Sequence, residues 1–242
     1  MLLSHRNRFI YLKTIKTAGT SVEIYFEPYC YDEREYPGPT GRRLEYTSEA
    51  GIVGFRGNGT GAKWWNHMPA ALVRDYIGND VWNSYLKFCC IRNPYDKAVS
   101  EFWRALPAEE RLRLRAIPFV EVRSRFSTWL CSSTKTFLDR AVYTIEGQIC
   151  VNAVIRYECL LADLERICRR LEIPFQAERL GRYKGDRRLR SEPWQAYYDL
   201  PRAEIIQNTF ALEFEWFGYD PESYQSIDLT SARYLSSNRT GL

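Results

Sequence analysis

The chain has 242 residues, 45% of them hydrophobic and 15% aromatic, and a formal net charge of +4. That length and apolar content support a substantial core and exclude a disordered or collagen-like chain. The modest charge gives no reason to expect a nucleic-acid partner, and two histidines exclude a histidine-rich metal centre.

The first strong pattern spans residues 8–23. An apolar, β-prone run (Phe9, Ile10, Tyr11, Leu12) breaks into Lys16, Thr17, Ala18, Gly19, Thr20 and Ser21, after which Val22, Ile24, Tyr25 and Phe26 resume an apolar pattern. This predicts strand, tight loop and helix. The loop suits an anion, because the first amides of a helix lack intrahelical partners and carry the positive end of its dipole. Gly19 allows close backbone approach, Thr20 and Ser21 add hydroxyls, and Lys16 adds a positive charge. The order does not fit the nucleoside-triphosphate loop G-x-x-x-x-G-K-[ST], since Lys16 precedes the loop's one glycine.

Residues 28–63, rich in Gly, Pro, Tyr and charge, read as a substrate-side insertion with short β-prone pieces at 44–47 and 52–55 and a flexible tip from Arg56. Residues 70–77 predict a short helix with Pro69 at its start, which places His67 just before it. A buried strand at 85–91 ends at Arg92, where open α/β sheets gather ligands. Pro94 then opens a helix on which Ser100 lies almost two turns along.

Residues 107–125 predict an arginine-rich amphipathic helix, a solvated face or lid. Residues 149–158 predict a strand, and Leu160, Leu161, Leu164, Ile167, Cys168 and Leu171 form a helical stripe. A basic run from Arg179 to Arg190 reads as a solvated face or a phosphate contact. Residues 201–214 predict a last helix, and 223–242 a mobile tail after one domain over 1–222. Seven cysteines, odd in number and without a C-x-x-C pair, read as reduced core residues. The short N-terminal apolar stretch and the lack of a bilayer-length run predict a cytoplasmic protein with no membrane partner. His5 falls in an N-terminal segment expected to fray.

Two motifs carry a family resemblance. Lys16-Thr17-x-Gly19-Thr20-Ser21 resembles the 5′-phosphosulfate loop of sulfotransferases that use 3′-phosphoadenosine 5′-phosphosulfate (PAPS), and Arg92, Pro94 and Ser100 resemble their 3′-phosphate motif. Residues 155–164 are similar to the R-Y-E-x-L-x-x-D segment of the carbohydrate-type and bacterial branch. The resemblance implies an α/β fold, a central parallel sheet flanked by helices in the P-loop-like sulfotransferase arrangement. It implies PAPS as donor, 3′-phosphoadenosine 5′-phosphate (PAP) as product, no metal, and a carbohydrate or small-molecule acceptor. It also implies Lys16, Thr17, Gly19, Thr20 and Ser21 at the phosphosulfate, Arg92 and Ser100 at the 3′-phosphate, and Lys184 with Gly185 in a late nucleotide-holding loop. Lys16 and His67 are the catalytic candidates, with Glu23 and Glu158 as fallback bases. One departure is Ile15 where the family commonly has Pro. The alternatives are an ATP- and Mg²⁺-dependent phosphotransferase and a non-enzymatic polyanion-binding module.

Overall fold

A computed structural model describes residues 1–39, 44–56, 61–133, 137–181, 183 and 187–226. In chain order the first elements are β1 (Leu2–Ser4), β2 (Phe9–Leu12), α1 (Gly19–Phe26), β3 (Tyr46–Thr47), β4 (Gly51–Val53), α2 (Ala70–Ile77), α3 (Asn79–Ser84) and β5 (Leu86–Ile91). There follow α4 (Pro94–Ala105), α5 (Ala108–Ala116), α6 (Phe119–Ser133), β6 (Thr144–Ile145), β7 (Gln148–Ile149), β8 (Ala153–Arg156), α7 (Leu160–Arg170), α8 (Leu200–Thr209) and α9 (Ala211–Phe217). These elements make two compact units, residues 1–92 with 139–184 and residues 93–138 with 185–242. No helix among the described residues is long and apolar enough to cross a membrane.

The first unit is α/β. Its six-stranded sheet has the order β3-β4-β1-β2-β5-β8. The β2/β5 and β5/β8 pairs are parallel, as expected, but β3/β4, β4/β1 and β1/β2 are antiparallel, so the sheet is mixed. Two expectations therefore change. The start of the chain is not frayed: β1 is fully buried between β4 and β2, too short a run to register as a strand by periodicity. The β-prone pieces expected at 44–47 and 52–55 fall on β3 and β4, but they belong to the central sheet rather than to a separate insertion, because β4 pairs with β1 and β3 with β4.

The registers put β2, β4, β5 and β8 in one direction. The loop after β2, Arg56 beyond β4, Arg92 after β5 and Tyr157 after β8 accordingly gather at one edge of the sheet. Beneath that edge, Val22, Tyr25 and Phe26 of α1 and Leu164, Ile167 and Cys168 of α7 share a core with Phe9, Tyr11, Phe88 and Ile155 of the strands. Phe26 lies edge-on to Phe9 and Phe88, at centroid distances of 5.4 and 5.1 Å.

The second unit is helical with an aromatic interior. Phe126 packs edge-on to Phe102 at 5.4 Å and to Tyr197 at 5.4 Å, while Phe137 stacks on Trp129 at 5.6 Å and on Phe210 at 5.3 Å. The predicted 107–125 helix is two helices, divided at Ile117 and Pro118, because a proline ring cannot occupy a helix interior. The last predicted helix is likewise two, parted at Phe210, whose backbone leaves the helical region. Ser223–Gln225 forms a 3₁₀ turn, with Asn93 donating to the Ser223 hydroxyl at 3.3 Å, so the segment expected as a tail from 223 is packed over its first residues. Residues 227–242 lie outside the described residues.

All seven cysteines are free, but only Cys30, Cys89, Cys90 and Cys168 are buried; Cys131 and Cys159 are exposed, against the expectation of core positions for all.

Candidate functional site

The loop between β2 and α1 is shaped by backbone reversals at residues without glycine's freedom. Lys16 and Ala18 both have positive φ, 61° and 59°, whereas Thr17 between them does not. Alternation of this kind turns successive amides toward one side, the geometry of an anion-binding nest. Non-glycine residues hold such angles at a cost of order 1 kcal/mol each, so the surroundings must enforce them. Three contacts do so: Asp139 Oδ2 accepts the Ile15 amide hydrogen at 2.5 Å, Arg92 Nη1 donates to the Lys16 carbonyl at 3.1 Å, and the Thr14 hydroxyl donates to the Cys90 carbonyl.

Because the Thr14 proton goes to Cys90, the Thr17 hydroxyl must donate to Thr14 Oγ1, 2.8 Å away. Thr17 is buried, and its hydroxyl ties the loop to β5 rather than facing outward. Ser21, also buried, accepts from the Tyr183 amide at 3.4 Å and keeps its own proton for another acceptor. Ala18 caps α1 without a side-chain bond; its carbonyl accepts from the Ser21 and Val22 amides, so the Gly19 and Thr20 amides stand at the open end of the helix.

Gly19 has a different role from the one expected. Its φ is not positive, but an added Cβ would meet Lys13 Cγ at 3.0 Å, the Thr14 carbonyl at 3.1 Å and the Tyr11 hydroxyl at 3.3 Å. Glycine is needed for helix-to-strand packing under the loop.

Arg92 is half-buried, and its guanidinium lies 3.8 Å from the ring centroid of Tyr157. Cation–π stacking adds to the hydrogen bond and fixes the plane of the fork. The preceding residue, Arg156, is anchored to Asp163: its amide and Nε reach Oδ2 at 2.9 and 3.1 Å. Burial favours the neutral acid, yet the Arg156 hydrogen bonds and the Arg156 and Arg166 charges hold the Asp163 pKa below the usual carboxylate range. The R-Y-E-x-L-x-x-D segment is thus scaffold, as expected, with Tyr157 added as the face against which Arg92 rests.

His67, with φ 60°, is half-buried and directs Nδ1 to the Lys13 carbonyl at 2.9 Å. A carbonyl only accepts, so Nδ1 carries the proton and Nε2 keeps a lone pair. Burial, and next the Lys13 ammonium, lower the His67 pKa to about 4. The ring is neutral at pH 7, the state a general base requires.

Three residues that sequence reasoning missed complete the surroundings. Lys13 Nζ meets Glu23 Oε2 at 2.7 Å, Arg56 Nε meets the same oxygen at 3.0 Å, and Arg56 Nη2 meets Glu27 Oε2 at 2.8 Å. Asp139, described above, is the third. Glu23 and Glu27 are fully buried, and two acids one turn apart inside an apolar run were the signal that cations lay opposite. Paired in this way, Glu23 is a structural carboxylate rather than a fallback base, and Glu158 is exposed. Arg56, placed by sequence at the start of a flexible tip, is an anchor instead.

Among the described residues of the basic run, Arg179, Arg188 and Arg190 are engaged. Arg179 donates to the Tyr29 hydroxyl at 3.0 Å and the Tyr25 carbonyl at 3.1 Å, and in the second unit Arg190 donates to the carbonyls of Leu114, Arg115 and Ile117. Lys184 and Gly185 lie outside the described residues. The structure therefore brings Lys16, Thr17, Gly19, Thr20, Ser21, Arg92 and His67 together in the first unit. Ser100 belongs to the second, half-buried on α4, where Asn93 caps the helix by accepting from the Tyr95 amide and Pro94 takes the first position as predicted.

No family model and no solved structure matches the chain. It is similar, at 26% identity over 110 residues, to an uncharacterized protein of Archaeoglobus fulgidus, a match that covers 44% of this chain and 84% of the other.

Proposed function

We propose that the chain is a sulfotransferase with a P-loop-like α/β fold, which takes PAPS as donor and moves its sulfuryl group to a hydroxyl or amine of a carbohydrate or small-molecule acceptor. The reading is supported most by one contact: Arg92, which heads the second phosphate motif, donates to the carbonyl of Lys16 in the first. Two motifs 76 residues apart in sequence meet at the ends of neighbouring parallel strands.

The donor set fits a doubly anionic nucleotide. Open amides at the start of α1, the Thr20 and Ser21 hydroxyls and the Lys16 ammonium suit the phosphosulfate, and the Arg92 fork suits a second phosphate. PAPS would supply the sulfuryl group and leave as PAP. Lys16 stabilises the charge that develops on the leaving oxygen, and His67 Nε2 receives the proton of the acceptor. A resting pKa near 4 keeps Nε2 free of a proton, and a bound anion nearby favours the imidazolium once the proton arrives.

Release of PAP from PAPS, measured over a panel of carbohydrate and phenolic acceptors, tests the reading. Lys16→Ala should lower turnover about 10²–10³-fold, and His67→Ala should abolish turnover while PAP still binds. Release that depends on neither residue would contradict the assignment.

A further inference from the structure

Four charged side chains, buried Lys13, Glu23 and Glu27 and half-buried Arg56, are linked beside the β2–α1 loop, and Lys13 joins them to it. Its carbonyl accepts the Nδ1 hydrogen of His67 at 2.9 Å, its stem lies beneath Gly19, and its ammonium pairs with Glu23 at 2.7 Å. Glu23 also holds Arg56, and Arg56 reaches Glu27, which caps the C-terminal end of α1. Arg56 and His67 sit on the same connection between β4 and α2. That connection is therefore tied twice to the loop and helix, once through Arg56 and once through His67.

As a means of stability this arrangement is poor. Buried ion pairs give back in attraction about what they lose in desolvation, and apolar replacements are often neutral or better. What the charges supply is position. We propose that Lys13 is the positioning residue for His67: together with Glu23, Arg56 and Glu27 it orients the imidazole and determines that Nε2 is the nitrogen left to accept a proton. The inference rests on the sulfuryl-transfer reading for the reaction His67 serves, but the arrangement can be read in the free protein.

Burial is the main reason the imidazole stays neutral. Among the groups that act on the ring, the Lys13 ammonium and the amino terminus oppose its protonation, whereas Asp139 and the hydrogen bond to the Lys13 carbonyl favour it. Removing the ammonium while preserving charge balance should make the ring easier to protonate.

The test is an NMR titration of the full chain labelled with ¹⁵N/¹³C histidine; with two histidines present, a His5→Gln sample assigns both. The wild type should show His67 as the Nδ1–H tautomer, neutral at pH 7. The double variant K13M/E23Q removes one charge of each sign and leaves the Arg56–Glu27 pair. Its His67 pKa should rise by about one unit, tenfold in the protonation equilibrium, and a second tautomer should appear as the backbone carbonyl of residue 13, no longer anchored through the side chain to Glu23, loses its fixed place against the ring. Lys13→Arg should restore the low value. An unchanged pKa and tautomer in the folded double variant, or an Nε2–H tautomer in the wild type, would overturn the proposal. If K13M/E23Q does not fold, K13Q/E23Q removes the same two charges while leaving polar side chains that can still hydrogen-bond to each other, and should raise the His67 pKa likewise; a fall or no change would also overturn it. Since no nucleotide is involved, a failure of PAP to bind would sink the sulfotransferase reading without touching this result.

Discussion

The two units fill their interiors in different ways. The first carries a linked set of four charged side chains, Lys13, Glu23, Arg56 and Glu27, next to its most strained loop. The second is held by rings: Tyr95, Phe102, Trp103, Phe126, Phe137, Tyr197 and Phe210 are all essentially inaccessible to solvent. Aromatic packing is the more effective source of stability per side chain, while balanced buried charge gives geometry at little net gain. Both units bury other charges, Lys87 and Asp163 in the first and Asp96, Lys97, Glu101 and Glu213 in the second, but the linked set of four lies beside the loop where chemistry is proposed.

That contrast can be broken from either side. Trp103→Ala removes the largest fully buried side chain of the second unit and leaves the Tyr197 hydroxyl without its indole donor, and should cost about 3–5 kcal/mol in chemical denaturation. Glu23→Ala should cost about 3 kcal/mol, because the buried Lys13 then loses its counter-charge. Its partner variant, K13M/E23Q, should recover much of that loss; a Trp103 variant has no such rescue by charge balance. If Glu23→Ala were silent, the network would be no more than a surface pairing.

Gly19→Ala is expected to be smaller. Its Cβ meets three atoms at 3.0–3.3 Å, and overpacking of this kind costs about 1–3 kcal/mol. Helix propensity works the other way by up to about 1 kcal/mol. A net loss in melting experiments supports the close packing under the loop, and a net gain would refute it.

A further effect appears only in acid. The folded-state pKa of His67 lies near 4, below its unfolded value of about 6.5. Between those values the unfolded chain binds a proton that the native chain does not, so stability falls as pH drops through the window and levels off below it. His67→Asn should flatten this part of the profile, as read from denaturation midpoints in a pH series.

Much of the fold was legible because its elements are periodic and punctuated. Strand β5, helix α2 and the Pro94 start of α4 lie within a residue of where apolar runs and prolines place them. Three-residue β1 carries too little pattern; the β-prone pieces at 44–47 and 52–55 fall on β3 and β4, but the pairing that brings β4 into the central sheet is with β1, about fifty residues away. The site divides along the same line. Lys16, Gly19, Arg92 and His67 stand in local motifs, whereas Lys13, Arg56, Tyr157 and Asp139 act through contacts across 10 to 124 residues. Long-range pairing leaves no spacing to read, except that Glu23 and Glu27 in an apolar helix demanded buried cations.

The most direct measurement of the central claim is calorimetric titration of the protein with PAP, with ADP and AMP as controls and Arg92→Ala as a second sample. Binding that requires the 3′-phosphate and collapses in the variant is expected, because Arg92, the brace on the Lys16 carbonyl, is in the proposed function also the fork for the 3′-phosphate. No binding of PAP, or equal binding of ADP, would contradict it.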